Sequence, residues 1–157
     1  MFDAEQTTDS AIATLKAALP AKVAAINAAK NDFVLPVPDD ASYSLGSSEV
    51  LRYPWVEVAV TNSDVSGLSL GQGAGDQTSQ VIVAVRYQSP FGEQLDRALR
   101  RYASAVAEAL MAPDAFGGHD TVAAIRFAYG TNPEVDDKMM LNGVAVVGFS
   151  VEGVATL

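Results

Sequence analysis

Cysteine is absent from the 157 residues, which excludes a disulfide scaffold, a thiolate zinc site and a cysteine nucleophile. Histidine occurs once, as His119 in the turn Gly117-Gly118-His119-Asp120. One histidine cannot build the usual multi-histidine metal centre. A general base also needs a positioned nucleophile and an orienting partner, so a solvated turn residue is the simpler reading. Basic residues are few: 10 Lys and Arg stand against 19 Asp and Glu, a formal net charge of -9. A chain this acidic has no electrostatic reason to grip nucleic acid. Its acidity either keeps it dissolved or forms a surface that faces DNA without holding it. No run of apolar residues is long enough to span a bilayer. The opening Met1-Phe2-Asp3-Ala4-Glu5 is acidic where a signal peptide would be basic.

What is present reads as one α+β domain over residues 1–157. Hydrophobic residues make up 49% and charged residues 18%, so the chain has the material for a core rather than the composition of a disordered segment. The organising stretch is 80–112. Val81, Val83, Val85 and Tyr87 alternate with Ile82, Ala84 and Arg86, the period of a strand. Ser89 and Pro90 then open a helix over 90–112, with Glu93 in its first turn. Leu95, Leu99, Tyr102, Val106 and Leu110 form its apolar stripe.

Before this stretch, an alanine-rich helix is expected over about 8–30, with Ile12, Leu15, Leu19, Val23 and Ile26 in register. Pro20 should kink or break it. Residues 31–48, with Pro36 and Pro38, read as a loop. A strand over about 49–61 follows, and Pro54 marks it as an edge or as bulged at its start. The glycine-rich stretch 62–79 reads as a long, mobile hairpin loop joining the first and second strands. After the second helix come a strand over about 121–129 and another over about 139–156. Gly143, Gly148 and Gly153 in the last suggest bulges or bends. The expected fold is a mainly antiparallel four-stranded sheet with two helices on one face, in the order α-β-β-α-β-β.

Candidate sites are few. Gly71-Gln72-Gly73-Ala74-Gly75 has the glycines of a phosphate loop, but a strand follows it where a helix N-terminus is needed. Asp39 and Asp40 form one acidic pair; Glu134, Asp136 and Asp137 form another cluster. Neither has the spacing of a calcium loop. Arg97, Arg100 and Arg101 make a basic patch on the second helix. It is either a solvated face paired locally with Asp96 or a docking face for an acidic neighbour. No catalytic residue, cofactor or metal ligand stands out.

Three features together resemble the tail terminator, or tail-completion, proteins of long-tailed bacteriophages. One is the element order in a chain of this size. Another is Leu19-Pro20-Ala21-Lys22-Val23-Ala24-Ala25-Ile26-Asn27, a proline-rich loop, and Tyr53-Pro54-Trp55-Val56-Glu57-Val58. The third is Val83-Ala84-Val85-Arg86-Tyr87 leading into the helix that carries Arg97, Arg100 and Arg101. The resemblance implies a non-catalytic virion protein assembled in the bacterial cytoplasm. It would form a homo-oligomeric ring, a hexamer, that stops growth of the tail tube and joins it to the head-completion or neck proteins, with no role at a membrane. DNA would pass through the lumen without specific binding.

In that setting Arg97, Arg100 and Arg101 would meet acidic neighbours. Val65, Leu68 and Leu70 would dock on a partner from the hairpin loop, ordering it. Asp39, Asp40, Glu134, Asp136 and Asp137 would line an acidic channel. The alternatives are another neck or head-completion adaptor, or a small oligomeric ferredoxin-like ligand-binding domain or enzyme. In the last case Arg86 and Arg126 would bind an anion at a subunit boundary.

Overall fold

A computed structural model describes residues 4–46, 49–50, 52–66, 74–113, 115–118, 121–132 and 134–156. Two helices and five strands follow one another as α1 (Ala4–Ala29), β1 (Tyr43–Leu45), β2 (Trp55–Ser66), β3 (Ala74–Ser89), α2 (Gly92–Leu110), β4 (Thr121–Thr131) and β5 (Leu141–Thr156). Single 3₁₀ turns precede β1 at Asp40–Ser42 and β4 at Ala115–Gly118. The strands form one sheet in the order β1-β2-β3-β5-β4. β1 runs parallel to β2, and every other neighbouring pair is antiparallel.

The expected four-stranded antiparallel sheet is therefore wrong: the sheet has five strands and is mixed. The additional strand lies in 31–48, where the sequence predicts only loop. Three residues are too few to show an alternating pattern, so β1 leaves no periodic signal. Asp39 starts the 3₁₀ turn by accepting a hydrogen bond from the Ala41 amide at 2.9 Å. Gly46, at φ +64, ends β1 in a backbone conformation that side chains disfavour. Because β1 lies outside β2, Pro54 precedes an inner strand and not an edge.

The hairpin loop is also shorter than the glycine content suggested. β2 continues to Ser66 and β3 begins at Ala74, in register from Asn62↔Gln80 to Ser66↔Asp76. Polar side chains on this ribbon of β2, β3 and β5, in which β3 also pairs with β5 out to Ala74↔Thr156, need little core, and Ser63 and Ser79 bridge β2 and β3 by a hydroxyl contact of 2.9 Å. Val65 lies on this ribbon, half-buried. Leu68, Leu70 and most of the candidate phosphate loop lie outside the described residues, as does His119.

The core lies between one sheet face and the two helices. Val56 and Val58 of β2, Val81, Val83 and Val85 of β3, and Ala145, Val147 and Phe149 of β5 all point into it. The α2 stripe Leu95, Leu99, Tyr102, Val106 and Leu110 is buried against them as expected. Ser89 accepts from the Phe91 amide at 3.2 Å, one residue short of a cap, and the helix starts at Gly92. Helix α1 runs unbroken through Pro20. Leu15 and Leu19 before the proline and Val23 after it are all fully buried, so packing on both sides offsets the lost hydrogen bond. By length and hydropathy α1 could cross a membrane. Its apolar stripe is instead occupied by the core, and Glu5, Asp9 and Lys16 stand exposed on it.

Gly143 is not a bulge. It sits in unbroken register between Tyr87 and Thr131. A Cβ there would stand 2.7 Å from Leu99 Cδ1 and 3.2 Å from the Gly130 carbonyl oxygen. The glycine is a notch that lets α2 approach the sheet. A bulge falls in β4, where Ala123 faces Ser150 and Arg126 faces Gly148, and the register also shifts in β2 between Val60 and Asn62. Three steps along β4 there match two along β5, and Ala124 takes φ +53.

Candidate functional site

The three arginines of α2 are divided between two neighbourhoods. Arg101 grips Asp32 with both terminal nitrogens, at 2.9 and 2.7 Å, and lies over the Phe33 ring at 4.3 Å. Its guanidinium holds the Asp32 carboxyl well below the usual carboxylate range. Arg97 reaches Glu93 at 2.6 Å and the same Asp32 at 3.3 Å, and Glu93 raises its pKa. These two arginines pin the proline-rich segment after α1 onto α2. Asn27 completes the attachment by donating to the Leu35 carbonyl at 2.9 Å and accepting from its amide at 2.7 Å. The buried Tyr102 hydroxyl donates to the Pro36 carbonyl. Burial raises the Tyr102 pKa. Arg100 stands apart. It pairs with Asp96 at 3.0 Å, which raises its pKa, and stacks over the Tyr129 ring of β4 at 5.0 Å.

The acidic clusters meet at one end of the sheet. Arg52 bonds Asp39 at 2.8 Å and holds that carboxyl below its ordinary pKa. The same arginine lines an open depression of about 450 Å³ with Tyr53, Asp136, Asp137 and Lys138. Asp136 accepts from the backbone amides of Met140 and Lys138, each at 2.9 Å, and its pKa is lowered by them in that order. Asp136 and Asp39 thus build their own turns, while Asp40, Glu134 and Asp137 are exposed. Sequence reading found both clusters but not Arg52, which brings them together. Its signal was faint, a lone basic residue before Tyr53-Pro54.

Arg86 and Arg126 do not converge. Arg86 faces Val144 and Arg126 faces Gly148 across opposite edges of β5. Arg86 is committed to the buried carboxylate of Glu57, at 3.2 and 3.4 Å. A depression of about 370 Å³ beside it is lined by Tyr53, Asn132 and Asn142, but its one arginine is already neutralised. Among the described residues no group of three or more acids or histidines is placed to hold a metal ion.

The two ends of the sheet carry exposed apolar side chains. β4 is open on both faces from Arg126 to Thr131, with Phe127 49% and Tyr129 40% exposed. At the other end Leu45 of β1 is 52% exposed. It borders a groove of about 270 Å³ with Glu5, Thr8, Val58 and Val60. The edge position of β4 leaves Phe127 and Tyr129 in solvent.

No protein-family model matches the chain, and no curated protein matches it. Among solved structures, it is similar to a chain of the virion of a native gene transfer agent particle, with 18% identity and a TM-score of 0.36. The match covers 88% of this chain and 95% of the other. At that overlap the likeness carries no argument about role.

Proposed function

We propose that this chain is a structural subunit of a phage-like virion, a tail terminator that forms a ring on the end of the tail tube. The observation that carries the reading is a sheet with helices on one face and, among the described residues, no partner strand at either end. Exposed apolar residues flank both ends, the surface expected of a subunit completed by neighbours. The resemblance in the first helix with its Pro20, the Tyr53-Pro54-Trp55 run and the arginine-bearing second helix supplies the particular role. Under it the chain performs no chemistry and needs no cofactor. Its partners are copies of itself, the tail tube and the neck proteins.

The sheet end that carries Asp39, Asp40, Glu134, Asp136 and Asp137 faces the lumen. Acidic walls leave a passing duplex hydrated and mobile, whereas lysines would hold its phosphates. The test is native mass measurement together with negatively stained images of the purified chain added to polymerising tail-tube protein. Rings seated on tube ends, with tubes that stop growing, are expected. A chain that stays monomeric and leaves tube growth unchanged overturns the reading.

A further inference from the structure

The two open ends of the sheet match each other in direction, in face and in charge. β1 runs with β2, β3 runs against β2, β5 against β3 and β4 against β5. β4 therefore runs opposite to β1. If a second copy extends the sheet in the same orientation, the β4 of one copy meets the β1 of the next as an antiparallel pair, the geometry in which hydrogen bonds lie perpendicular to the strands.

The faces agree as well. Leu45 pairs with Val58, and Tyr129 pairs with Ala145, so both exposed side chains stand on the helix-covered face. On that face Arg100 stacks over Tyr129, while Glu5 shares the groove of Leu45. One end thus presents an aromatic ring under an arginine that it shares with Asp96, the other a glutamate beside a groove. β4 has no acid, lysine or proline among its 11 residues; only the Arg126 charge and the bulge between Ala123 and Arg126 blunt its edge, and the pairing from Arg126 to Thr131 is regular.

We infer that subunits join head to tail through the two ends of the sheet, with β4 of one copy against β1 of the next, Tyr129 opposite Leu45 and Arg100 beside Glu5. This rests on the ring reading and specifies how the ring closes. A head-to-tail contact that closes by rotation removes every edge at once. A symmetric β4-to-β4 contact through Arg126, the middle residue of the strand, would instead set like charges opposite each other.

The absence of cysteine makes the test clean. Leu45→Cys and Tyr129→Cys are combined in one chain, and the assembled protein is oxidised or treated with a short bis-maleimide. A ladder of covalent multimers on a denaturing gel is expected from the double variant, with each single variant staying monomeric. Both positions are exposed, and a melting curve confirms folding. Arg100→Glu is expected to lower the ring fraction at least tenfold, and Glu5→Arg in the same chain to restore it. Rings that form without the ladder overturn this contact but leave the ring reading standing. Dimers from Tyr129→Cys alone, or rings indifferent to the charge exchange, also overturn it. Covalent chains that never cap a tube uphold the contact and overturn the terminator reading. A chain that never self-associates overturns both.

Discussion

β3 and β4 are similar strands placed differently. Each alternates apolar residues along one face: Val81, Val83, Val85 and Tyr87 in β3, and Ile125, Phe127 and Tyr129 in β4. In β3 the pattern is buried, because β2 and β5 flank it and α2 covers it. In β4 Ile125 still packs against the core, but Phe127 and Tyr129 face water at the margin of the sheet, where Arg100 stacks over the Tyr129 ring. The alternation specifies a strand; its place in the sheet decides whether the apolar face serves the core or a neighbour.

The contrast breaks most visibly at Leu99, which is fully buried above β5. Leu99→Ala is expected to cost roughly 2–5 kcal/mol, the range for a buried leucine truncated to alanine. An unchanged denaturant midpoint would show that α2 packs through another face. Gly143→Ala comes next, at about 1–3 kcal/mol for overpacking against a leucine and a backbone oxygen. Combined with Leu99→Ala it is expected to cost less than the sum, because the new methyl enters the space that Leu99 vacates. Additive losses would deny that the two positions share one space.

Acid tests the turns and the proline-rich segment rather than the core. The carboxyls of Asp32, Asp39 and Asp136 are held below their ordinary pKa in the folded chain. Their contribution is fully present above the unfolded value of about 3.9 and is lost as pH falls through the lower folded values. Urea midpoints are therefore expected to stay level down to about pH 4.5 and to fall below that. Asp32→Asn is expected to flatten part of the fall, and an identical acid profile in that variant would remove the Arg101 pairing from the account.

The smallest effect on the subunit itself is expected at Phe127, which is half exposed on β4. Phe127→Ser is expected to cost about 1 kcal/mol, the value for a large apolar side chain that is half buried. A large loss of stability would mean that β4 belongs to the core after all.

What could be read from the sequence follows the length of each signal. α2 repeats its apolar spacing from Leu95 to Leu110, about four turns, and its buried stripe is legible residue by residue. α1 was legible too, although its unbroken course through Pro20 depends on Leu15, Leu19 and Val23 sharing one packing surface, which no local rule contains. β1 was not legible, because its three residues are stabilised by pairing with Val56, Glu57 and Val58 and not by their own pattern. The glycines at 143 and 148 were noticed but misjudged at 143, where the cause is a side chain 44 positions earlier. Both acidic clusters and the arginine patch were visible as composition. Their division into Asp32-bound and Tyr129-bound arginines required the tertiary fold.

Trp55, the chain's single tryptophan, is 4% exposed, and its indole nitrogen has no hydrogen-bond partner among the described residues. An indole shut away from water emits toward the blue and resists collisional quenchers such as iodide. The protein therefore carries an optical reporter at the start of β2, one residue after the cis Tyr53-Pro54 bond. A red shift in its emission follows the opening of that corner of the sheet without any added label.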